Sequence, residues 1–197
     1  MHKHRVCPWW LGYLLVSPIR RLQHDPARIL APYVREGMTV LEPGPGMGFF
    51  TLELARRVGA CGRVIAADIQ PKMIQRLKRR AAKADLLERI DTRIARSDSM
   101  RLSGLGNSVD FVLAFAVVHE MPEAATFFAE AAETMKSGAR MLMAEPSGHV
   151  SEDEFEAELE MARRAGLEVE ARPPIRRSRA AVLRKSHGVI NESEEPD

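Results

Sequence analysis

Apolar positions along this chain fall into two alternating kinds of segment. Short, largely apolar runs (one opening at Thr39, then Val64–Ile69, Val109–Phe115 and Ala139–Ala144) read as strands, and Val109–Phe115 has the form of a central parallel strand buried on both faces. Between them the apolar residues recur at helical spacing: Phe50, Leu52, Leu54, Ala55 and Val58, then Met73, Ile74, Leu77 and Ala81. Ile90–Ala95 alternates and predicts a third strand, and a helix is expected after Pro122, running through Met135, with Lys136-Ser137-Gly138 as its stop. Ser151-Glu152-Asp153-Glu154 opens a further helix as a capping box, and Gly166 closes it. Leu167–Ala171 and Ala180–Leu183 complete seven strands. Strands alternating with helices and ending in a strand pair predict an α/β, Rossmann-like doubly wound sheet. Its seven strands are mostly parallel, the last is antiparallel, and helices cover both faces.

The first strand runs directly into Glu42-Pro43-Gly44-Pro45-Gly46-Met47-Gly48. Glycine at every second position gives a turn free to take positive φ and leaves the backbone open to a ligand. A helix pattern follows at once, so its N-terminal N–H groups are expected to face the same place. This is a nucleotide-type cradle at the carboxyl end of a parallel strand. The spacing is not the dinucleotide G-x-G-x-x-G, and Glu42 precedes the first glycine by two positions, where it would repel a pyrophosphate. A cationic ligand suits it better. The second strand ends in Asp68, placed to accept ribose hydroxyls.

Acid, glycine loop and ribose acid in this order resemble the class I methyltransferases that use S-adenosylmethionine. From Asp25 to Leu183 the chain looks most like the small-molecule branch, which includes the quinone-biosynthesis C-methyltransferases and the arsenite methyltransferases; their segment after strand four is similar to Val117-Val118-His119-Glu120-Met121-Pro122. The resemblance implies S-adenosylmethionine as cofactor. It assigns Glu42 to the methionine end and Gly44, Gly46 and Gly48 to the cradle. Asp68 goes to the ribose, Ile69 to the adenine face, Asp98 and Ser99 to the adenine edge. Phe115 or Ala116 would offer a backbone carbonyl to the donor's ammonium.

The acceptor half has no comparable signature. Methyl transfer from a sulfonium needs alignment and dryness, and a general base only when the acceptor begins protonated. His119, Glu120, Glu145 and His149 are expected over the ends of strands four and five, as a base or a weak metal site. His119, Glu120 and His149 are the catalytic candidates, His119 the first choice, and Glu145 faces the acceptor. The alternative for these residues is structural: His119 capping a helix and Glu145 paired with an arginine. Trp9, Trp10 and Tyr13 either wall off the acceptor or cover a flank of the sheet, and both readings stay open. No dedicated metal site is expected, although His2-x-His4-x-x-Cys7 has the residue types for a soft metal on a mobile terminus.

Composition narrows the partners. The chain has 197 residues, 45% hydrophobic and 28% charged, with a formal charge of +2. That size fits one domain, 1–197, comprising N-terminal lid helices (1–36), a Rossmann-like core (37–185) and a disordered tail (186–197). Near-balance of charge predicts neither a nucleic-acid nor a membrane partner, and the resemblance implies a small-molecule methyl acceptor. The basic helix Pro71–Asp85 reads as a solvated outer face. Cys7 and Cys61 make no disulfide framework and suit a cytoplasmic setting. The apolar run Trp9–Val16 is too short for a membrane span, so no stable membrane insertion is expected, and a monomer or homodimer is. The three-cysteine arsenic site of the arsenite enzymes is not evident. A non-catalytic S-adenosylmethionine-binding module and an NAD-dependent oxidoreductase are the competing functions.

Overall fold

The computed structural model describes residues 24–96 and 98–186. Seven strands form one sheet: β1 (Thr39–Pro43), β2 (Arg63–Asp68), β3 (Ile90–Ile94), β4 (Val109–Phe115), β5 (Met135–Pro146), β6 (Leu167–Ala171) and β7 (Ser178–Lys185), in the order β3-β2-β1-β4-β5-β7-β6. β7 runs antiparallel to β5 and β6, and the remaining pairs are parallel. The α/β, doubly wound architecture expected from the apolar pattern is therefore the one observed. The chain order reverses between β1 and β4, which opens a crevice at their carboxyl ends.

Among the described residues five α-helices cover the sheet: α1 (Pro26–Leu30), α2 (Thr51–Val58), α3 (Pro71–Lys83), α4 (Ala124–Thr134) and α5 (Glu152–Arg164). Successive residues of each strand point to opposite faces. Val40, Phe111 and Leu113 accordingly join the core under α1, α2 and α3, with Leu30, Leu54 and Leu77. Leu41, Val112 and Ala114 join the core under α4 and α5, with Phe128, Phe155 and Leu159. Asp25 caps α1 through Ala27 N–H, and Pro26 fills the first helical position, where its missing donor costs nothing. Ser151 and Glu154 form the expected reciprocal capping box on α5.

One expectation needs correction. Helix α4 ends at Thr134, and the chain turns directly into β5 at Met135. Met135 pairs with Val109 but Arg140 with Phe111, so the residues between loop out of register and Gly138, at φ +72°, makes the bend instead of a helix stop. The expected lid helices of 1–36 lie mostly outside the described residues. Within the described part of 1–36, His24 packs edge-on against Phe115, at 5.1 Å between ring centroids, and Leu30 and Val34 are buried in the α2-side core. Tyr33 stacks on Phe111 at 5.5 Å. Residues 24–36 cover a flank of the sheet and do not line the crevice.

Candidate functional site

The crevice at the β1/β4 reversal is a cleft of about 290 Å³. Its floor is the glycine loop. Gly46, at φ +54°, faces open space, so a Cβ there would project into the volume a ligand would use. Gly44, at φ +62°, also lines the cleft, but its Cα face is closed by Val117. Gly48 does something different: a Cβ would lie 2.5 Å from Leu77 Cδ1 on α3, so this glycine serves close helix packing. Glu42 is almost fully buried in β1 and does not line the cleft.

Asp68 stands at the end of β2, 8% exposed. Its Oδ2 accepts Gly46 N–H at 3.2 Å and its Oδ1 accepts Gln70 N–H at 2.8 Å, which fixes the carboxylate on the cleft wall. Burial pushes its pKa up to about 6, against the opposing effect of those two N–H groups and with help from the charge of Glu120. Ile69, 43% exposed, offers an apolar face beside it. Asp98 and Ser99 line the opposite wall; Asp98 pairs with Arg96 at 3.1 Å, and Ser99 Oγ accepts Arg101 N–H. Glu130 of α4 secures this loop by accepting Met100 N–H at 2.7 Å. Phe115 lies beneath the core surface, and Ala116, the next residue, reaches the cleft with φ +56°.

The segment after β4 forms the other end of the cleft. Val117, Glu120, Met121 and Pro122 line it, joined by Thr126 and Phe127 of α4. His119 sits in a 3₁₀ turn, Val118–Glu120, and does not cap α4. Its Nδ1 is hydrogen-bonded to Glu145, its Nε2 lies 4.0 Å from Glu120 Oε1, and its ring meets that of His149 edge-on at 6.2 Å between centroids. His119, Glu120, Glu145 and His149 thus come together, but Glu120 is the one that reaches the cleft wall. Glu145 departs from the expected acceptor contact. It is fully buried, and its Oε1 accepts Val117 and Val118 N–H at 3.1 and 2.9 Å. The arginine alternative fails as well, since its partner is His119.

Sequence reasoning missed Glu158. It lies on the inward face of α5 with Phe155, Leu159 and Ala162, 9% exposed, and its Oε2 has no hydrogen-bond partner among the described residues. Burial and the nearby Glu145 raise its pKa to about 8. The signal was available: a lone acid in an apolar 155/158/159/162 stripe. Trp9, Trp10, Tyr13, His2, His4 and Cys7 lie outside the described residues. Among the described residues no metal-binding cluster of three or more His, Cys, Asp or Glu exists, and no helix is long and apolar enough to cross a membrane.

A family model described as a methyltransferase domain matches residues 34–176, which contain the glycine loop, Asp68, Asp98 and the 117–122 segment. The chain belongs to the class I S-adenosylmethionine-dependent methyltransferase family. Over 109 residues, 55% of its length, it is 30% identical to an arsenite methyltransferase of Halobacterium salinarum, and the match spans 27% of that longer protein. In fold it is similar to a SAM-dependent methyltransferase from Aquifex aeolicus (TM-score 0.81, 23% identity, 91% of this chain and 100% of that one). It is also similar to the [4+2]-cyclase SpnF (TM-score 0.69, 17% identity, 83% and 82%). Family membership implies S-adenosylmethionine as the cofactor. The residues present fit it: an open glycine face at Gly46, a fixed carboxylate at Asp68 and an apolar face at Ile69 in one methyltransferase cleft.

Proposed function

We propose that the protein is a cytoplasmic methyltransferase that transfers the methyl group of S-adenosylmethionine to a small-molecule acceptor. The observation that carries this reading is the Asp68 carboxylate, held by Gly46 and Gln70 N–H groups beside the open face of the glycine loop. Asp68 would take the ribose hydroxyls, Ile69 one adenine face, Asp98 and Ser99 the adenine edge, and Gly44 and Gly46 the methionine portion, with Glu42 beneath it. Bound S-adenosylmethionine supplies a methyl group already activated by its sulfonium. The chain's own task is to align the acceptor and exclude water. Val117, Met121, Pro122 and Phe127 give the acceptor end an apolar wall, and Glu120 gives it a carboxylate. The His119 ring, behind the cleft-lining Glu120 and beside His149, is our candidate to take a proton from an acceptor that begins protonated.

We read the acceptor as an organic molecule rather than arsenite on the position of Cys61; Cys7 lies outside the described residues. Cys61 is exposed in the turn before β2, at the end of the sheet opposite the cleft, and cannot contribute a thiolate there. Incubating the protein with S-adenosylmethionine and a panel of phenols, amines, thiols and quinone precursors, and measuring S-adenosylhomocysteine, tests the reading. Acceptor-dependent product supports it; none across the panel from a protein that binds the cofactor favours a second reading. That reading, a cofactor-binding protein without methyl transfer, draws support from the likeness to SpnF, a cyclase on the same fold.

A further inference from the structure

Glu145 is a charged side chain placed where no solvent reaches it, and three hydrogen bonds account for both of its oxygens. Oε1 holds the Val117 and Val118 N–H groups, and Oε2 holds His119 Nδ1. A carboxylate has lone pairs and no donor, so the neutral imidazole facing it must carry its proton on Nδ1. The other ring nitrogen then keeps its lone pair and lies on the side of Glu120, which lines the cleft. The same carboxylate anchors the backbone of Val117, the residue that closes the Cα face of Gly44.

We propose that Glu145 is a positioning residue for methyl transfer: it pins the 117–118 backbone over the glycine loop and fixes the neutral His119 ring with its proton on Nδ1, leaving Nε2 as the proton-accepting nitrogen. This rests on the methyltransferase reading of the cleft. The charged and titratable groups around the ring are Glu145 from β5, Glu120 on its own turn, His149 from the β5–α5 loop and Glu158 from α5. Burial works against the imidazolium, but the hydrogen bond to Glu145 and the charges of Glu145 and Glu120 outweigh it, with Glu158 adding to them only once it ionises, so the His119 pKa stands above its ordinary value. Glu158 holds its proton to about pH 8, so below that it is a neutral neighbour and does not compete with Glu145 for the ring.

The test is Glu145→Gln in the full chain, read by long-range proton–nitrogen NMR of histidine-labelled protein across pH. Glutamine keeps an oxygen for the Val117 and Val118 N–H groups but turns an NH₂ toward Nδ1. The neutral His119 ring is expected to carry its proton on Nδ1 in the wild type and on Nε2 in the variant, with its pKa lower than in the wild type. Glu158→Gln is expected to leave the proton on Nδ1. A wild-type ring protonated on Nε2, a tautomer indifferent to Glu145→Gln, or one that flips with Glu158→Gln instead, would overturn the proposal. The wild-type spectrum decides the tautomer even if the variant does not fold. Titrating the same wild-type sample with S-adenosylhomocysteine separates the two claims: no binding defeats the cofactor reading whatever the tautomer.

Discussion

Val117 Cγ2 lies 2.4 Å from where a Cβ on Gly44 would stand. The glycine loop after β1 and the segment after β4 therefore meet with no room for even a methyl group, and Glu145 holds the second partner in place through the Val117 N–H. The cleft is assembled from two loops that are far apart in sequence and fit only because residue 44 has no side chain.

Gly44→Ala should accordingly cost more than a helix-propensity change. The residue sits at φ +62°, where an L side chain is strained, and the methyl would have to displace Val117. We expect a thermal midpoint lower by about 5 °C or more and cofactor binding weakened at least tenfold. Gly46→Ala shares the positive φ but meets nothing within 4 Å, so it should lose less stability while still impairing binding. Differential scanning calorimetry and cofactor titration on the two variants check the contrast.

Asp68 predicts a pH dependence of cofactor affinity. Its pKa is raised to about 6, mainly by burial, so the carboxylate proposed to accept the ribose hydroxyls is lost as pH falls through that value. Affinity for S-adenosylhomocysteine should rise from pH 5 to pH 7 and then level off. Asp68→Asn should flatten the profile, and an unchanged slope in the variant would assign the dependence to another group.

Glu158 predicts the opposite trend for the stability of the free protein. Its folded pKa, about 8, lies above the ordinary glutamate value of 4.5. The folded chain thus keeps a proton that the unfolded chain has released across this window, and the associated stability is present below pH 4.5 and is lost as pH rises through 8. Glu158→Gln removes that penalty. Its thermal midpoint should match the wild type near pH 4.5 and exceed it by about 3 °C at pH 8.5.

The backbone of this account was legible because it depends on periodicity. Burial on both faces makes β1, β2 and β4 nearly unbroken apolar runs, and the spacing of Met73, Ile74, Leu77 and Ala81 is that of a helix face. The Asp25 and Ser151 caps are local hydrogen-bond chemistry, readable from a few adjacent residues. Side-chain direction was not legible. Glu145 and Glu120 look alike in sequence, yet Glu145 turns inward to two N–H groups and an imidazole while Glu120 turns to the cleft. Gly46 and Gly48 belong to one motif, but the partner that separates their roles, Leu77, arrives from another helix. The looped-out stretch in β5 was hidden because Lys136-Ser137-Gly138 reads equally as a helix end or a strand irregularity.

The most direct test of the central claim, that the β1/β4 cleft binds S-adenosylmethionine through Asp68, is calorimetric titration of wild type and Asp68→Ala with S-adenosylmethionine, S-adenosylhomocysteine and NAD. The account predicts that the wild type binds the first two and not NAD, and that Asp68→Ala weakens both by about 10- to 100-fold, as expected when charge-assisted hydrogen bonds are lost, with the fold intact. Binding of NAD alone, no binding by a folded wild type, or equal affinity in the variant would contradict it.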